Sequence, residues 1–404
     1  MTGNTTSAPA APAKVYFTDL RTHGRESQLD KLKRLIRRAG IEQIDFENKF
    51  VAIKIHFGEL GNLSFLRPNY ARAVADVVKE LGGKPFLTDC NTLYVGSRKN
   101  ALEHIDTAYQ NGFTPYATGC QVIIADGLKG TDETLVPVKN GEYVKEAKIG
   151  HALMDADIVI SLTHFKGHEQ AGFGGAMKNL GMGGGSRAGK MEQHAAGKPS
   201  VATEQCIGCH ACEKICAHGA VKFDGTRERE LANGKTRTVH VASIDHDRCV
   251  GCGRCIGVCN QDAITPDYDG APDVLNCKIA EYTQAIVQDR PNFHISLAMD
   301  ISPNCDCHAE NDTPIVNDIG MFASFDPVAI DQACADAVMA AKPLPNTELT
   351  ESAEKMEHNH MHLEGEQAED PFCITHPDTD WRTCIAHAEK IGLGTSDYEL
   401  ITVK

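Results

Sequence analysis

Two stretches of the sequence carry the same arrangement of cysteines: CIGCHACEKIC at residues 206–216 and CVGCGRCIGVC at residues 249–259. Both follow the pattern C-x2-C-x2-C-x3-C, and the likeness continues into CAHGAV (216–221) and CNQDAI (259–264). Half of the 16 cysteines of the chain therefore lie in one internally duplicated segment. This concentration of thiols predicts a separate metal-binding unit within a larger chain.

The composition narrows the class of protein. The chain has 404 residues, of which 42% are hydrophobic and 24% charged, as in ordinary globular proteins. Its net charge of −15 argues against nucleic-acid binding, which needs clustered Lys and Arg. No apolar stretch is long enough to predict a membrane span. Residues 1–13 lack the features of a secretory signal and are predicted to be a disordered lead-in. We expect a cytoplasmic, reducing compartment, where clustered thiols bind metal rather than each other.

The two cysteine runs resemble those of two-cluster bacterial ferredoxins, in which the fourth cysteine of each run binds the other cluster. The resemblance implies two 4Fe–4S clusters with crossed ligand sets: Cys206, Cys209, Cys212 and Cys259 for cluster 1, and Cys249, Cys252, Cys255 and Cys216 for cluster 2. Ala217 and Asn260 stand where that family usually has proline, which loosens a turn but removes no ligand. The alternative is structural zinc, which would leave the third and fourth thiols of each run without a role.

Outside this segment, short apolar runs alternate with amphipathic stretches, which is typical of an α/β fold with a mostly parallel sheet. The predicted strands are Val15–Thr18, Val51–Phe57, Pro85–Thr88, Gln121–Ala125, Ile158–Leu162 and Phe293–Ile301, and the predicted helices include Gln28–Ala39, Tyr70–Leu81 and Pro327–Ala340. We predict one α/β domain formed by residues 14–200 and 269–404, with a ferredoxin-like insert at residues 201–268. Asp89 and His164 directly follow predicted strands, at the edge where α/β sheets bind ligands.

A glycine-rich segment, FGGAMKNLGMGGGSRAG (173–189), precedes the cysteines. Its glycines are predicted to let the backbone approach a bound cofactor, with N–H groups that suit an anion. The glycines predicted to bind the cofactor are Gly174, Gly175, Gly183 and Gly184. Residues 184–190 also match the P-loop pattern G-x-x-x-x-G-K, but Met191 replaces the Ser or Thr that holds magnesium. We therefore exclude nucleotide hydrolysis here.

Four side chains around this segment are predicted to be catalytic: His164, His168, Lys178 and His194. Burial of Lys178 in the glycine-rich loop would favour a role as nucleophile or proton carrier. The alternative for each histidine is a structural residue whose hydrogen bonds are satisfied within the core.

Several motifs together resemble one known family. They are CNTLYVGSRKN (90–100), HFKGHE (164–169), GFGGAMKNLGMG (172–183), RAGKMEQH (187–194), SPNCDCH (302–308) and DPVAID (326–331). These motifs are similar to those of the iron–sulfur proteins of domain-of-unknown-function family 362, and the resemblance runs from about Lys14 onward. It implies an α/β domain paired with a ferredoxin module, in a family that has no generally accepted reaction.

A fainter similarity connects HEQAGFGGAMK (168–178) with the nickel-pincer lactate racemase family. This resemblance implies a metal-ligating role for His168 and a cofactor-linked lysine at Lys178. His194 stands at a spacing similar to that of the second histidine of that family.

Cys305, Cys307 and His308 form a possible third metal site. In an extended segment, alternate residues point the same way, so Cys305 and Cys307 are predicted to face one ligand together. Thiolates with an imidazole suit zinc, iron or a third cluster. The alternative is a redox-active or structural cysteine pair.

These observations predict an iron–sulfur oxidoreductase. Two 4Fe–4S clusters would pass single electrons between a ferredoxin-like or other redox protein and a site in the α/β domain, where a small-molecule substrate or an additional metal would bind. Two alternatives stay open: a non-catalytic electron-carrier subunit of a larger complex, and a racemase-like metalloenzyme whose clusters sense redox state.

Overall fold

The computed structural model describes residues 11–94, 96–194, 198–230, 234, 236–266 and 272–404. The strands are β1 (Ala13–Thr18), β2 (Phe50–Lys54), β3 (Lys84–Asp89), β4 (Gln121–Ile124), β5 (Glu133–Pro137), β6 (Glu146–Gly150), β7 (Ile158–His164), β8 (Lys166–His168), β9 (Gly172–Gly174), β10 (Pro199–Val201), β11 (Val221–Glu230), β12 (Thr236–Ile244), β13 (Ile264–Pro266), β14 (Asn292–Ala298), β15 (Gly320–Ser324) and β16 (Tyr398–Thr402). The α-helices are α1 (Gln28–Arg38), α2 (Pro68–Glu80), α3 (Ala101–Gln110), α4 (Pro115–Thr118), α5 (His151–Asp155), α6 (Ala176–Gly184), α7 (Arg187–His194), α8 (Ala211–Ile215), α9 (Arg254–Val258), α10 (Pro272–Val287), α11 (Pro327–Met339), α12 (Glu348–His358), α13 (Pro371–Thr375) and α14 (Arg382–Ile391), with 3-10 turns at Ile41–Gln43 and Gly365–Glu369. The lead-in predicted at residues 1–13 lies mostly outside the described residues, and β1 already begins at Ala13.

A large sheet has the strand order β16-β1-β15-β14-β7-β2-β3-β4. Strands β14, β7, β2, β3 and β4 are parallel, which confirms the predicted α/β fold with a mostly parallel sheet. Strand β15 runs antiparallel to both of its neighbours. A parallel arrangement of β14 and β15 would require a crossover connection, usually a helix. The connection between these strands contains no helix, so β15 returns antiparallel.

Helices cover both faces of this sheet. Alternation along β2 sends Val51 and Ile53 into a core with α1 and α2, and Ala52 into a core with α6 and α10. Because both faces of the sheet are buried, its strands are nearly continuous apolar runs in the sequence. This pattern explains why they could be predicted. Strand β2 ends at Lys54 rather than at Phe57, because the chain leaves the sheet toward a left-handed turn at Gly58 (φ 79°). No helix in the described part of the chain is long and apolar enough to cross a membrane.

The described strands between residues 199 and 266 lie outside the large sheet, in the pairs β10–β13 and β11–β12. The two cysteine runs have matching backbones: Gly208 and Gly251 have φ of 68° and 71°, and His210 and Gly253 have φ of 61° and 65°. Helices α8 and α9 follow at equivalent positions, and Cys216 and Cys259 end them with nearly equal dihedral angles. The duplication seen in the sequence is therefore also a duplication of backbone conformation.

Helix α6 is anchored by a residue from a distant helix. Asp331, on α11, accepts hydrogen bonds from the N–H groups of Ala176 (2.6 Å) and Met177 (2.9 Å). A Cβ on Gly175 would lie 2.4 Å from the Asp331 carboxylate, so glycine is needed for this approach. Burial raises the pKa of Asp331 to about 7, although the two backbone hydrogen bonds oppose the shift.

The Asp331 carboxyl makes stability depend on pH. Its pKa in the fold lies above the ordinary 3.8, so between about pH 4 and pH 7 the folded chain keeps a proton that the unfolded chain releases. The free energy of unfolding therefore falls as the pH rises through this window, by a few kcal/mol at about 1.4 kcal/mol per pKa unit. We expect Asp331→Asn to flatten this part of the melting-temperature profile. Asp106→Asn, at an exposed position of α3, is the control, and equal slopes for both variants would contradict the prediction.

Candidate functional site

The carboxyl ends of β2, β3, β7 and β14 meet at one edge of the sheet, and the segments that follow them enclose a small cavity with α6 and α7. This is the edge at which parallel α/β sheets bind ligands. Five cationic side chains line the cavity: Lys54, Arg98, Lys166, Lys178 and Lys190. The Asp89 carboxylate lines it as well. The lining therefore favours negative charge within the cavity.

A thiol occupies the centre of this positive region. Lys178 Nζ lies 3.1 Å from Cys305 Sγ, which is fully buried. A hydrogen bond from Cys307 lowers the pKa of Cys305 well below its ordinary value in spite of burial. Lys178 and Lys166 act in the same direction through their charge. The same sulfur–sulfur contact, with burial, raises the pKa of Cys307. Cys305 is therefore the more acidic of the two thiols.

The backbone reaches this arrangement by a turn. The N–H of His308 donates to the carbonyl of Cys305 (3.2 Å), so the segment is not extended as predicted. The turn nevertheless leaves the two thiols close enough for each to affect the pKa of the other.

Cys307 and His308 meet Glu169, whose place in the site was not predicted. One potential ligand atom from each of these three residues lies within 4.8 Å of the others, an arrangement that could hold a metal ion. His308 Nε2 is 3.0 Å from Glu169 Oε1. The sequence signal that could have identified Glu169 is its position directly after His168. The predicted set of Cys305, Cys307 and His308 is thus divided, because Cys305 contacts Lys178 and lies outside this group.

His164 holds the turn in place. Its Nδ1 lies 2.9 Å and 3.0 Å from the two carboxylate oxygens of Asp306, and its Nε2 lies 2.9 Å from the Met299 carbonyl. Both nitrogens face oxygen atoms, and these contacts fix the orientation of the ring. This is the geometry of a positioning residue, since Asp306 stands between the two cysteines. The catalytic role predicted for His164 stays a prediction.

His168 and His194 lie on the side of the cavity next to α7. His168 Nδ1 accepts the N–H groups of Gln170 (3.1 Å) and Ala171 (3.0 Å), which directs the other ring nitrogen toward Cys305. Burial lowers the pKa of His168, and burial with the nearby positive charges of His168 and Lys178 lowers that of His194 to about 3. The structure therefore brings His168 and Lys178 to Cys305, and His194 lies close to both of them.

A buried ion pair borders the cavity. Lys54 Nζ lies 2.9 Å from Asp89 Oδ1, and the two side chains are 1% and 3% exposed. Asn179, on α6, accepts a second hydrogen bond from Lys54 (3.0 Å). Arg98 forms a further buried pair with Glu59 (2.9 Å). Asp89 was expected at this edge, whereas its partner Lys54 was not.

The glycine-rich segment forms part of β9 and α6 instead of an open loop. A Cβ at Gly174 would lie 2.8 Å from Lys166 Nζ, and one at Gly183 would lie 2.4 Å from Lys54 Nζ. The N–H groups at the start of α6 are occupied by the Asp331 carboxylate and are not an open anion site. The glycines thus give cationic side chains room to pack. A cofactor-binding role for Gly174, Gly175, Gly183 and Gly184 stays a prediction.

The thiols of residues 206–259 lie in two neighbouring groups. Four of them line one cavity: Cys206, Cys209, Cys212 and Cys259. Cys255 lies close to Cys252 and Cys249, and burial with these neighbours raises its pKa to about 12. Cys252 lines a second pocket together with Ala217, which directly follows Cys216.

Helix α7 connects the thiol-rich segment to the sheet edge. Its Met191 packs in one hydrophobic cluster with Cys206 and Cys212. Tyr94 packs against the same cluster, and its ring lies 6.1 Å from that of His194. His194 is in turn close to His168 and Lys178. Met191, Tyr94 and His194 therefore lie between the two regions.

The Lys54–Asp89 pair should stabilise this edge strongly. Asp89→Asn leaves a buried ammonium without its counter-charge, so we expect a loss of about 3–5 kcal/mol in the free energy of unfolding, measured by chemical denaturation. Lys54→Met combined with Asp89→Asn should lose less, because no unpaired charge remains. The control is Glu351→Gln in the exposed Lys355–Glu351 pair, where we expect a change below about 1 kcal/mol. Equal losses for Asp89→Asn and Glu351→Gln would contradict this prediction.

Three comparisons relate the chain to known proteins. A curated relative, the Thylakoid-associated protein sll1697 of Synechocystis sp. (strain ATCC 27184 / PCC 6803 / Kazusa), is 30% identical over 126 residues, which cover 30% of this chain and 33% of that protein. The chain thus matches about a third of the length of this relative. Among solved structures, the lactate racemase apoprotein from Thermoanaerobacterium thermosaccharolyticum is similar at a TM-score of 0.36 and 10% identity, over 71% of this chain and 51% of that one. A protein from Thermotoga maritima is similar at a TM-score of 0.35 and 12% identity, over 79% and 60%.

The motifs between residues 90 and 331 predicted one particular family. The model of the family described as Domain of unknown function (DUF362) matches residues 51–336, well over half of the chain. The predicted resemblance is confirmed: the chain belongs to the DUF362 family.

Proposed function

We propose that this protein is an iron–sulfur oxidoreductase, in which residues 201–268 form a ferredoxin-like insert with two 4Fe–4S clusters. One observation carries the proposal: the cavity lined by Cys206, Cys209 and Cys212 is completed by Cys259, from the other cysteine run. This is the crossed arrangement that two-cluster ferredoxins use. The second cluster would be held in the same crossed way, by three cysteines of the second run and the last cysteine of the first: Cys249, Cys252, Cys255 and Cys216.

The chemistry around the thiols fits such clusters. Backbone N–H groups point at cysteine sulfurs: Ala242 at Cys206 (3.4 Å) and Ala220 at Cys216 (3.3 Å). N–H···S hydrogen bonds stabilise sulfur ligands and tune cluster potentials. Zinc would need four of the eight thiols, and the matching backbone of the two runs would then serve no purpose.

Bound there, the clusters would supply one-electron transfer. The rest of the chain provides the connection from the clusters to the cavity. Met191 and Tyr94 pack next to Cys206 and Cys212, and His194 follows them toward Cys305. This connection favours an oxidoreductase over a carrier subunit, whose α/β domain would not need a thiol and lysine site beside the insert.

The partner would be another redox protein. Cys209 is exposed, so cluster 1 would lie near the surface, where a ferredoxin-like protein could exchange electrons with it. A small-molecule substrate would bind at the sheet edge of the α/β domain formed by residues 14–200 and 269–404. The compartment we propose is the cytoplasm, where free thiols remain reduced.

The crossed ligand sets can be tested by paired variants. Anaerobically purified protein should contain about eight iron atoms, and Cys209→Ser or Cys259→Ser should each lose about half of them. The double variant C209S/C259S should lose no more, because both residues serve one cluster, whereas C209S/C216S should lose nearly all iron. Iron and sulfide analysis measures the iron content of each variant, and electron paramagnetic resonance of the reduced protein shows which clusters remain.

Cys120→Ser is the matched control, because Cys120 is a buried thiol outside both cysteine runs, and it should keep the full iron content. The proposal fails if wild-type protein holds four or fewer iron atoms at full occupancy. Uncrossed sets would appear as the opposite pattern, with C209S/C216S losing only half.

A further inference from the structure

We propose that Cys305 and Cys307 form a two-electron dithiol–disulfide centre at the sheet edge. The proposal deepens the proposed function and rests on it for the source of electrons, an iron–sulfur carrier that delivers one electron at a time. It concerns residues outside the thiol-rich segment, so the two proposals can fail separately.

The geometry of the turn favours a disulfide. Residues 305 and 307 are separated by one residue, and the 3.2 Å hydrogen bond from the His308 N–H to the Cys305 carbonyl closes the chain around them. A disulfide needs Cα atoms about 4.4–6.8 Å apart, which a tight turn of this kind provides. Asp306, held by His164, fixes the turn to the end of β7.

The two sulfurs differ in their surroundings, as the two thiols of an exchange centre do. Cys305 is fully buried and receives a hydrogen bond from the Lys178 ammonium at 3.1 Å. Cys307 is half-buried and lines the cavity. Cys305 therefore faces the side chains that lead to the thiol-rich segment, and Cys307 faces the space where a substrate would enter.

The reduction balances with the groups present. Two electrons break the Cys305–Cys307 S–S bond and produce two thiolates, and one proton then converts the Cys307 thiolate into the thiol. The disulfide is reduced, and two equivalents of the iron–sulfur carrier are oxidised. The Cys305 thiolate remains charged next to Lys178, which stabilises it. Two one-electron clusters in series with one two-electron centre would match this stoichiometry.

A metal ion at the same place is the competing explanation. Glu169, Cys307 and His308 could hold one, but Cys305 is not part of that group. The Cys305 sulfur is instead next to Lys178, and Lys166 also acts on it through its charge. A cation close to Cys305 would be repelled by these ammonium groups. The charges therefore favour the thiol pair over a metal site that includes both cysteines.

The test is an anaerobic redox titration of the full-length holoprotein. The protein is equilibrated with mixtures of reduced and oxidised dithiothreitol and quenched with iodoacetamide, and mass spectrometry then measures the fraction of the peptide with both thiols alkylated. We expect a single two-electron transition between a blocked and a fully alkylated pair. Cys305→Ser and Cys307→Ser should abolish it, whereas Cys120→Ser should leave it unchanged.

A second experiment tests the link to the clusters. Chemically reduced ferredoxin should open the disulfide in the wild-type protein, and the rate should fall at least tenfold in Cys212→Ser, whose disulfide should still open with dithiothreitol. Equal rates in the two proteins would overturn the electron route.

The outcomes separate the two proposals. Full iron content with no disulfide at any potential overturns the dithiol centre and leaves the cluster proposal intact. A two-electron transition in protein without iron would overturn the cluster proposal and retain the thiol pair. A third outcome would assign the turn to a metal site. The wild-type protein would then show no two-electron transition and would contain zinc or iron beyond the eight cluster atoms. This extra metal would be lost in Cys307→Ala and in Glu169→Gln.

Discussion

The pairing of buried charges at the carboxyl edge of the sheet is the constraint on which the rest of the site depends. Lys54 and Asp89 stand on adjacent parallel strands, and each would be very costly to bury without the other. Their contact directs the segments after β2 and β3 to the same place. His164 and Asp306 do the same for β7 and the segment after β14. The cavity is thus enclosed by segments whose directions are set by charge pairs.

The apolar pattern of the sequence was sufficient to predict six of the eight strands of the large sheet and several helices, because strands buried on both faces are continuous apolar runs. Strands β15 and β16 were not predicted. The reversed direction of β15 was not predicted, since strand direction depends on how the chain returns and an apolar run carries no information about that. The metal-binding role of the cysteine runs could also be predicted, because it depends on spacing between residues that are close in the sequence. Their matching backbone conformation requires residues with a left-handed backbone at equivalent positions. Glycine fills these positions, except that His210 fills one of them.

The cationic lining of the cavity was largely missed for a different reason. Lys54 and Arg98 look like surface residues in the sequence, and their burial depends on partners that only the fold brings near. The contact of Lys178 with Cys305 spans 127 residues of chain. Interactions of this kind leave no periodic pattern. The glycines of the 173–189 segment were noticed but interpreted as an approach to a ligand, whereas in the structure they admit Lys166, Lys54 and the Asp331 carboxylate.

Helix α7 lies between the thiol-rich segment and the sheet edge, and its contacts support the proposal that the two regions act together. Its eight residues contact both regions. Arg187 fills the space beside Gly253 and Gly257 of the second cysteine run, where any side chain would collide with it. Met191, one helical turn further, packs with the cysteines of the first run. Lys190 lines the cavity, and His194 lies close to His168. A scaffold that only carried the insert would need one apolar face on this helix. Lys190 and His194 share a helix face with Arg187 and Met191, because the four positions are spaced i, i+3, i+4 and i+7. The buried lysine and histidine on this face are costly to desolvate, and such groups are typical of a site at which chemistry takes place.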